Sequence, residues 1–154
     1  MVDSQLRLNQ ILTKLRALDF RITPQRLAVL KILVESQGHP TIDSIYEEVR
    51  QDFPTISLAT VYKTATLLKG LGEVLELGTR DGSSRYDGNK PYPHLHITCT
   101  KCKKIMDFEE LPIAALTREV AEKTGFEIKD HQLDFFGICP QCRGLKKFHP
   151  PAKL

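Results

Sequence analysis

The chain has 154 residues, 41% hydrophobic and 27% charged, an ordinary globular balance with no apolar run long enough to span a bilayer. Its formal net charge of +3 is too small to specify a polyanionic partner by itself. The opening residues, MVDSQLRLNQ, lack the basic-then-apolar pattern of a secretory signal, so a cytoplasmic location without membrane attachment is expected, and cysteines there are better read as metal ligands than as disulfides.

The charges are unevenly spread. Residues 1–34 carry six basic groups (Arg7, Lys14, Arg16, Arg21, Arg26, Lys31) against two acidic ones, whereas 35–52 carry one against five. Apolar positions Leu6, Ile11, Leu12, Leu15 and Leu18 recur at helical spacing and predict a first helix over about 5–18. Thr23-Pro24 places a capping oxygen before a proline at the first helical position and opens a second helix, which should stop near Gly38. Thr41 caps a third helix with Ile42, Ile45, Tyr46 and Val49 on one face, and Pro54 lies just beyond it. Ser57 caps a fourth, LATVYKTATLLKGLG, ended by Gly70 or Gly72.

EVLELG and SSRYDG, around the turn-forming Thr79-Arg80-Asp81-Gly82, predict a two-stranded hairpin. Four helices and a hairpin within residues 1–88 fit a winged helix-turn-helix, with the fourth helix entering the major groove and the hairpin lying on the DNA backbone. A helical bundle with an appended hairpin would give the same pattern. In the DNA-binding reading, Thr60, Tyr62 and Lys63 are the candidate base and phosphate contacts, and Lys14 and Arg21 would position the backbone.

Gly88 and two prolines mark residues 89–93 as a hinge. Beyond it, residues 94–154 should form a small α+β domain: strands over 95–98, 104–108 and 126–138, and a helix over 111–124 with Leu116 and Val120 on one face. The final twelve residues hold Arg143, Lys146, Lys147 and Lys153 with no acid and read as a solvated tail. The fold class expected for the whole is therefore α+β, a winged-helix half followed by a small dimerisation domain.

That second domain is too short to be stable on core burial alone, and its cysteines supply a staple. Cys99-Thr-Lys-Cys102 and Cys139-Pro-Gln-Cys142 each present two sulfurs from one tight turn, and together they complete a tetrahedral zinc set. Four thiolates leave no open position, so this Zn2+ is expected to be structural. A thioredoxin-like pair would leave the other pair unexplained, and a zinc deaminase would need a His-x-Glu motif, which the sequence lacks.

His94-Leu95-His96 has strand spacing, so both imidazoles point to one face. Asp87 and Asp107 are candidate oxygen donors, and His39 a candidate from the first half. Three nitrogens and two oxygens suit Fe2+ or Mn2+, with Zn2+ and Co2+ also able to bind.

Over residues 23–142 the chain resembles the ferric-uptake-regulator family. The motifs are Thr-Pro-Gln-Arg (23–26), Gly-His-Pro-Thr (38–41), Ala-Thr-Val-Tyr (59–62), Ser-Arg-Tyr-Asp (84–87), His-x-His-x-x-Cys-x-x-Cys (94–102), Asp-Phe-Glu (107–109) and the final Cys-x-x-Cys. The resemblance implies a regulatory metal held by His39, Asp87, His94, His96 and Asp107, a homodimer, and palindromic operator DNA as partner. Aspartates at both carboxylate positions look like the peroxide-sensing branch, in which iron-driven oxidation of a ligand histidine, here His39 or His94, would release the DNA. Iron- or manganese-responsive repression is the alternative. The His-His-Asp-His run of many iron sensors is replaced by Pro93-His94-Leu95-His96, which removes the basis for an extra metal site although His131 remains. A metal-dependent hydrolase or oxygenase on His94, His96 and Asp107 is the enzymatic rival, and no substrate motif accompanies it. A pure interaction module with structural zinc is the other.

Overall fold

The computed structural model describes residues 3–36, 38–78, 82–92, 94–108, 112–129, 131 and 133–144. The hairpin-turn residues Thr79 to Asp81, Glu109 of the Asp-Phe-Glu motif and the basic tail from 145 onward lie outside the described residues. The chain divides into two compact units, Met1–Tyr92 and Pro93–Leu154.

The first unit holds four helices and a hairpin: α1 (Ser4–Ala17), α2 (Pro24–Glu35), α3 (Ile42–Asp52), α4 (Leu58–Gly70), β1 (Leu75–Gly78) and β2 (Ser84–Asp87). Each helix begins where a short polar side chain satisfies free N–H groups of the first turn. Asp3 accepts from Gln5 and Leu6, Thr23 from Arg26, Thr41 from Ser44, and Ser57 from Thr60. Asp3 was not anticipated as a cap; the other three were. The second helix stops at Glu35, short of Gly38.

Ile11 and Leu15 from α1, Val29, Leu30 and Leu33 from α2, Ile45 and Val49 from α3, and Val61, Ala65 and Leu68 from α4 form one buried core, closed at the hairpin by Val74 and Tyr86. β1 and β2 pair antiparallel from Leu75↔Asp87 to Gly78↔Ser84. A buried ion pair, Arg7 with Glu73, and the exposed Lys14 fasten α1 to the base of this hairpin. Arg7 donates to the carbonyls of Glu73 (3.0 Å) and Gly88 (3.4 Å) and pairs with the Glu73 carboxylate at 2.7 Å. Lys14 reaches the same carboxylate at 2.5 Å and donates to the Leu71 carbonyl. Gly88 has no room for a side chain: a Cβ there would lie 2.8 Å from the Leu33 carbonyl oxygen in α2.

The second unit is a three-stranded sheet in the order β4-β3-β5, with β3 (Leu95–Cys99) central, β4 (Ile105–Phe108) antiparallel to it and β5 (Asp134–Gly137) parallel. Helix α5 (Ile113–Thr124) makes the crossover between β4 and β5 and ends at Gly125 in the left-handed conformation. The strand anticipated over 126–138 is confined to Asp134–Gly137. Its partner β3 spans only five residues, so no ladder is available to the segment before Asp134.

Candidate metal centres

The two Cys-x-x-Cys segments are turned in the same way. In each, the N–H four residues after the first cysteine returns to that cysteine's carbonyl: Lys103 to Cys99 at 2.9 Å and Arg143 to Cys139 at 3.0 Å. Left-handed backbone at Lys103 (φ 63°) and Gly144 (φ 76°) lets the chain leave each turn. Because β3 pairs parallel with β5, Cys99 and Cys139 start from adjacent strand ends, and the four sulfurs lie within 4.8 Å of one another.

Cys102 and Cys139 Sγ are 3.7 Å apart, and all four cysteines are free of disulfides. Sulfurs at about 2.3 Å from a tetrahedral Zn2+ stand about 3.8 Å from each other, so the spacing fits that ion. The Cys139 N–H donates to Cys99 Sγ at 3.3 Å. With the N–H groups of Cys102 and Lys101, it pulls the Cys99 thiol down to about 6. Cys142 is pushed up to about 12, first by its hydrogen bond with Cys139 and then by that with Cys102. The backbone N–H groups of this turn thus favour the thiolate of Cys99, the form that binds a metal.

The histidines and aspartates divide between the units. In the first, the Gly38-His39-Pro40 segment is stitched to β2: the Tyr86 N–H donates to the Pro40 carbonyl at 3.0 Å, and Arg85 Nη1 reaches the His39 carbonyl at 3.4 Å. His39 itself takes a left-handed φ of 50°, uncommon for a residue with a side chain. Asp87, at the end of β2, accepts from the Asn89 and Lys90 N–H groups through Oδ1. Both side chains are buried, and a nitrogen of His39 and an oxygen of Asp87 lie within 4.8 Å.

In the second unit, His94 immediately precedes β3 and His96 lies on it, with ring centroids 4.2 Å apart. Asp107 on β4 is the register partner of His96, and its Oδ1 lies 3.5 Å from His94 Nε2 and 3.8 Å from His96 Nε2. The side chains of His94 and His96 are only 2% and 5% exposed. Two buried nitrogens facing one carboxylate are a donor set that could hold a cation, and its imidazole and carboxylate chemistry suits Fe2+ or Mn2+. His131 belongs to neither donor group among the described residues.

The candidate DNA contacts are placed differently from one another. Tyr62 is 57% exposed, and with Leu58, Ala59, Lys63, Thr66 and Lys69 it forms the solvent face of α4, opposite Val61, Thr64, Ala65 and Leu68. Thr60 is half-buried and its hydroxyl meets that of Ser57 at 2.9 Å. Arg21 is exposed. Lys14 is engaged by Glu73 and Leu71, an intramolecular role that counting basic groups did not suggest.

The ferric uptake regulator family model matches residues 17–136. The peroxide-responsive repressor PerR of Staphylococcus aureus is 40% identical over 136 residues, which cover 88% of this chain and 91% of that protein. Among solved structures, the Helicobacter pylori ferric uptake regulator, whose structure is reported to reveal three functional metal binding sites, matches with a TM-score of 0.77 at 25% identity, covering 92% of this chain and 94% of the other. A zinc-bound manganese uptake regulator matches with a TM-score of 0.66 at 30% identity, covering 86% and 98%.

Proposed function

The chain belongs to the ferric uptake regulator family, and on that premise we propose that it is a metal-dependent DNA-binding repressor that senses peroxide through oxidation of a ligand histidine. Structural Zn2+ is assigned to Cys99, Cys102, Cys139 and Cys142. An exchangeable Fe2+ or Mn2+ is assigned to His39 and Asp87 together with His94, His96 and Asp107. The observation that carries the reading is the convergence of donor atoms within 4.8 Å in each histidine and aspartate set, with His39, Asp87, His94 and His96 buried and Asp107 half-buried.

Five protein donors would leave an octahedral ion room for a small molecule. Fe2+ held there would lend one electron to a peroxide O–O bond and recover it as an imidazole is oxidised, so that overall one peroxide oxygen enters the ring and the other leaves as water; Mn2+ would not readily do so. His39 and His94 are the imidazoles assigned to take the oxygen, and an oxidised imidazole is a poorer donor. Losing either ligand would weaken the hold on the exchangeable ion and with it the metal-dependent affinity for DNA. The event consumes its own site, so it is sensing and not turnover.

Operator recognition is assigned to the exposed face of α4, led by Tyr62 and Lys63, with Thr60 at its margin and Arg21 and Lys14 near the backbone. A homodimer reading a palindrome is supported by the second unit's surface: Met106, Leu116, Val120, Phe126, Phe135 and Ile138 are each at least 41% exposed. None of the helices is long and apolar enough to cross a membrane among the described residues.

Peroxide sensing is tested by loading the zinc protein with Fe2+ or Mn2+, adding low micromolar hydrogen peroxide, and measuring binding to a duplex selected by the Mn2+-loaded protein. The iron form should release the duplex, and its peptides containing His39 or His94 should gain one oxygen atom. Retained DNA affinity with unmodified histidines would leave the other reading, metal-responsive repression, which the resemblance to a manganese uptake regulator favours.

A further inference from the structure

The register of the second unit's sheet places a further carboxylate beside the metal half-site. His96 on β3 is paired with Asp107 on β4 and, on its other edge, with Asp134 on β5. Directly opposed residues on neighbouring strands share a sheet face and stand about 5 Å apart at Cβ. His96 therefore sits in one rung between two aspartates.

The two contacts reach different atoms of the ring. Asp107 Oδ1 faces Nε2 at 3.8 Å, whereas Asp134 Oδ1 faces Nδ1 at 3.6 Å. Asp107 belongs to the converging donor group with His94 and His96; Asp134 does not. Both flanking side chains are largely covered, at 22% and 17% exposed, against 5% for His96. An imidazole that binds a cation through one nitrogen must carry its proton on the other, and an acceptor at that second nitrogen fixes the tautomer and ring orientation while raising the basicity of the first.

We infer that Asp134 is the positioning carboxylate of the exchangeable-metal site, accepting the Nδ1–H of His96 so that Nε2 is presented to the ion. The 3.6 Å approach is just beyond hydrogen-bond length, and the inference requires it to shorten when the ion is bound. The inference rests on the assignment of His96 as a ligand in the proposed function. It adds a residue to which no role had been given, because its importance comes from strand pairing and not from a local motif. It also explains an acid on β5 between apolar neighbours Leu133 and Phe135.

The test uses the full chain with structural zinc retained, comparing Mn2+ affinity in the wild type, Asp134→Ala, Asp134→Asn and His96→Ala. Asp134→Ala should weaken Mn2+ binding about 10- to 100-fold, the usual effect of losing an outer partner of a ligand histidine. Asp134→Asn keeps an oxygen that accepts the Nδ1–H and should recover a large part of the loss. Unchanged affinity in Asp134→Ala with loss in His96→Ala overturns this inference and leaves the ligand assignment standing; unchanged affinity in both overturns the two together. A second readout needs no variant. With Zn2+ filling both sites of the wild type, imidazole nitrogen NMR should show His96 protonated at Nδ1 and metal-bound at Nε2, and the opposite pattern overturns the inference.

Discussion

Glu73 shows how one side chain joins sequence positions far apart. Burial by itself raises its pKa, but the hydrogen bonds from Lys14 and Arg7, with their charges, outweigh this and hold it below the ordinary 4.5. A folded-state pKa below the unfolded value contributes stability that is present above the unfolded pKa and is lost as pH falls through the folded one. Glu73→Gln should therefore cost roughly 2 kcal/mol near neutrality, the scale of a hydrogen-bonded buried charge. It should also flatten the loss of stability below about pH 4.5 seen for the wild type. Urea unfolding at a series of pH values measures both, and an unchanged acid slope would contradict the assignment. Arg7 and Lys14 were legible in the sequence only as members of a basic cluster. Their acceptor lies in the turn after α4, and nothing local announces a pairing across so long a stretch of chain. The cysteines and the His-x-His pair were legible because the chemistry of each sits within four residues. Asp134 was not, since its partner comes from another strand.

At the scale of elements, the clearest junction is the close approach of the end of β2 to α2. A methyl group at Gly88 would lie 2.8 Å from the Leu33 carbonyl oxygen and 3.1 Å from the Leu33 Cβ. Gly88→Ala should then destabilise the first unit by about 1–3 kcal/mol, as overpacking commonly does. Because Asp87 is the preceding residue, the same change should weaken Mn2+ binding. Thermal unfolding followed by metal titration separates the two effects, and a variant as stable as wild type would show that α2 yields without strain. The starts of three helices could be read from Thr23, Thr41 and Ser57 because a cap acts within three residues of itself. The bounds of β5 could not, since a strand extends only as far as its partner and β3 is short. The hairpin was legible as two strands, yet its stitching to Pro40, which brings His39 beside Asp87, depends on tertiary contact.

Across the whole molecule, the two units draw their stability from different sources. The first has a continuous aliphatic core; in the second, Leu95 and Ile105 are the buried aliphatic residues among those described, and α5 buries none of its side chains. A small domain of this kind needs a crosslink, a partner or both, which is why four cysteines and an apolar surface occur together in it. Helical period and cysteine spacing conveyed the architecture, and strand spacing the His94 and His96 pair, while His39, Asp87 and Asp107 gained force only from family motifs, since isolated histidines and aspartates are common. The proposed function requires that an exchangeable ion assigned to His39, Asp87, His94, His96 and Asp107 govern DNA binding. The direct measurement is fluorescence anisotropy of a selected palindromic duplex as Mn2+ is titrated into the zinc-loaded wild type and His39→Ala, with zinc content and thermal stability matched. Wild-type affinity should climb with Mn2+ while His39→Ala stays at its metal-free level. Metal-independent binding by the wild type, or the same Mn2+ response in both proteins, would contradict it.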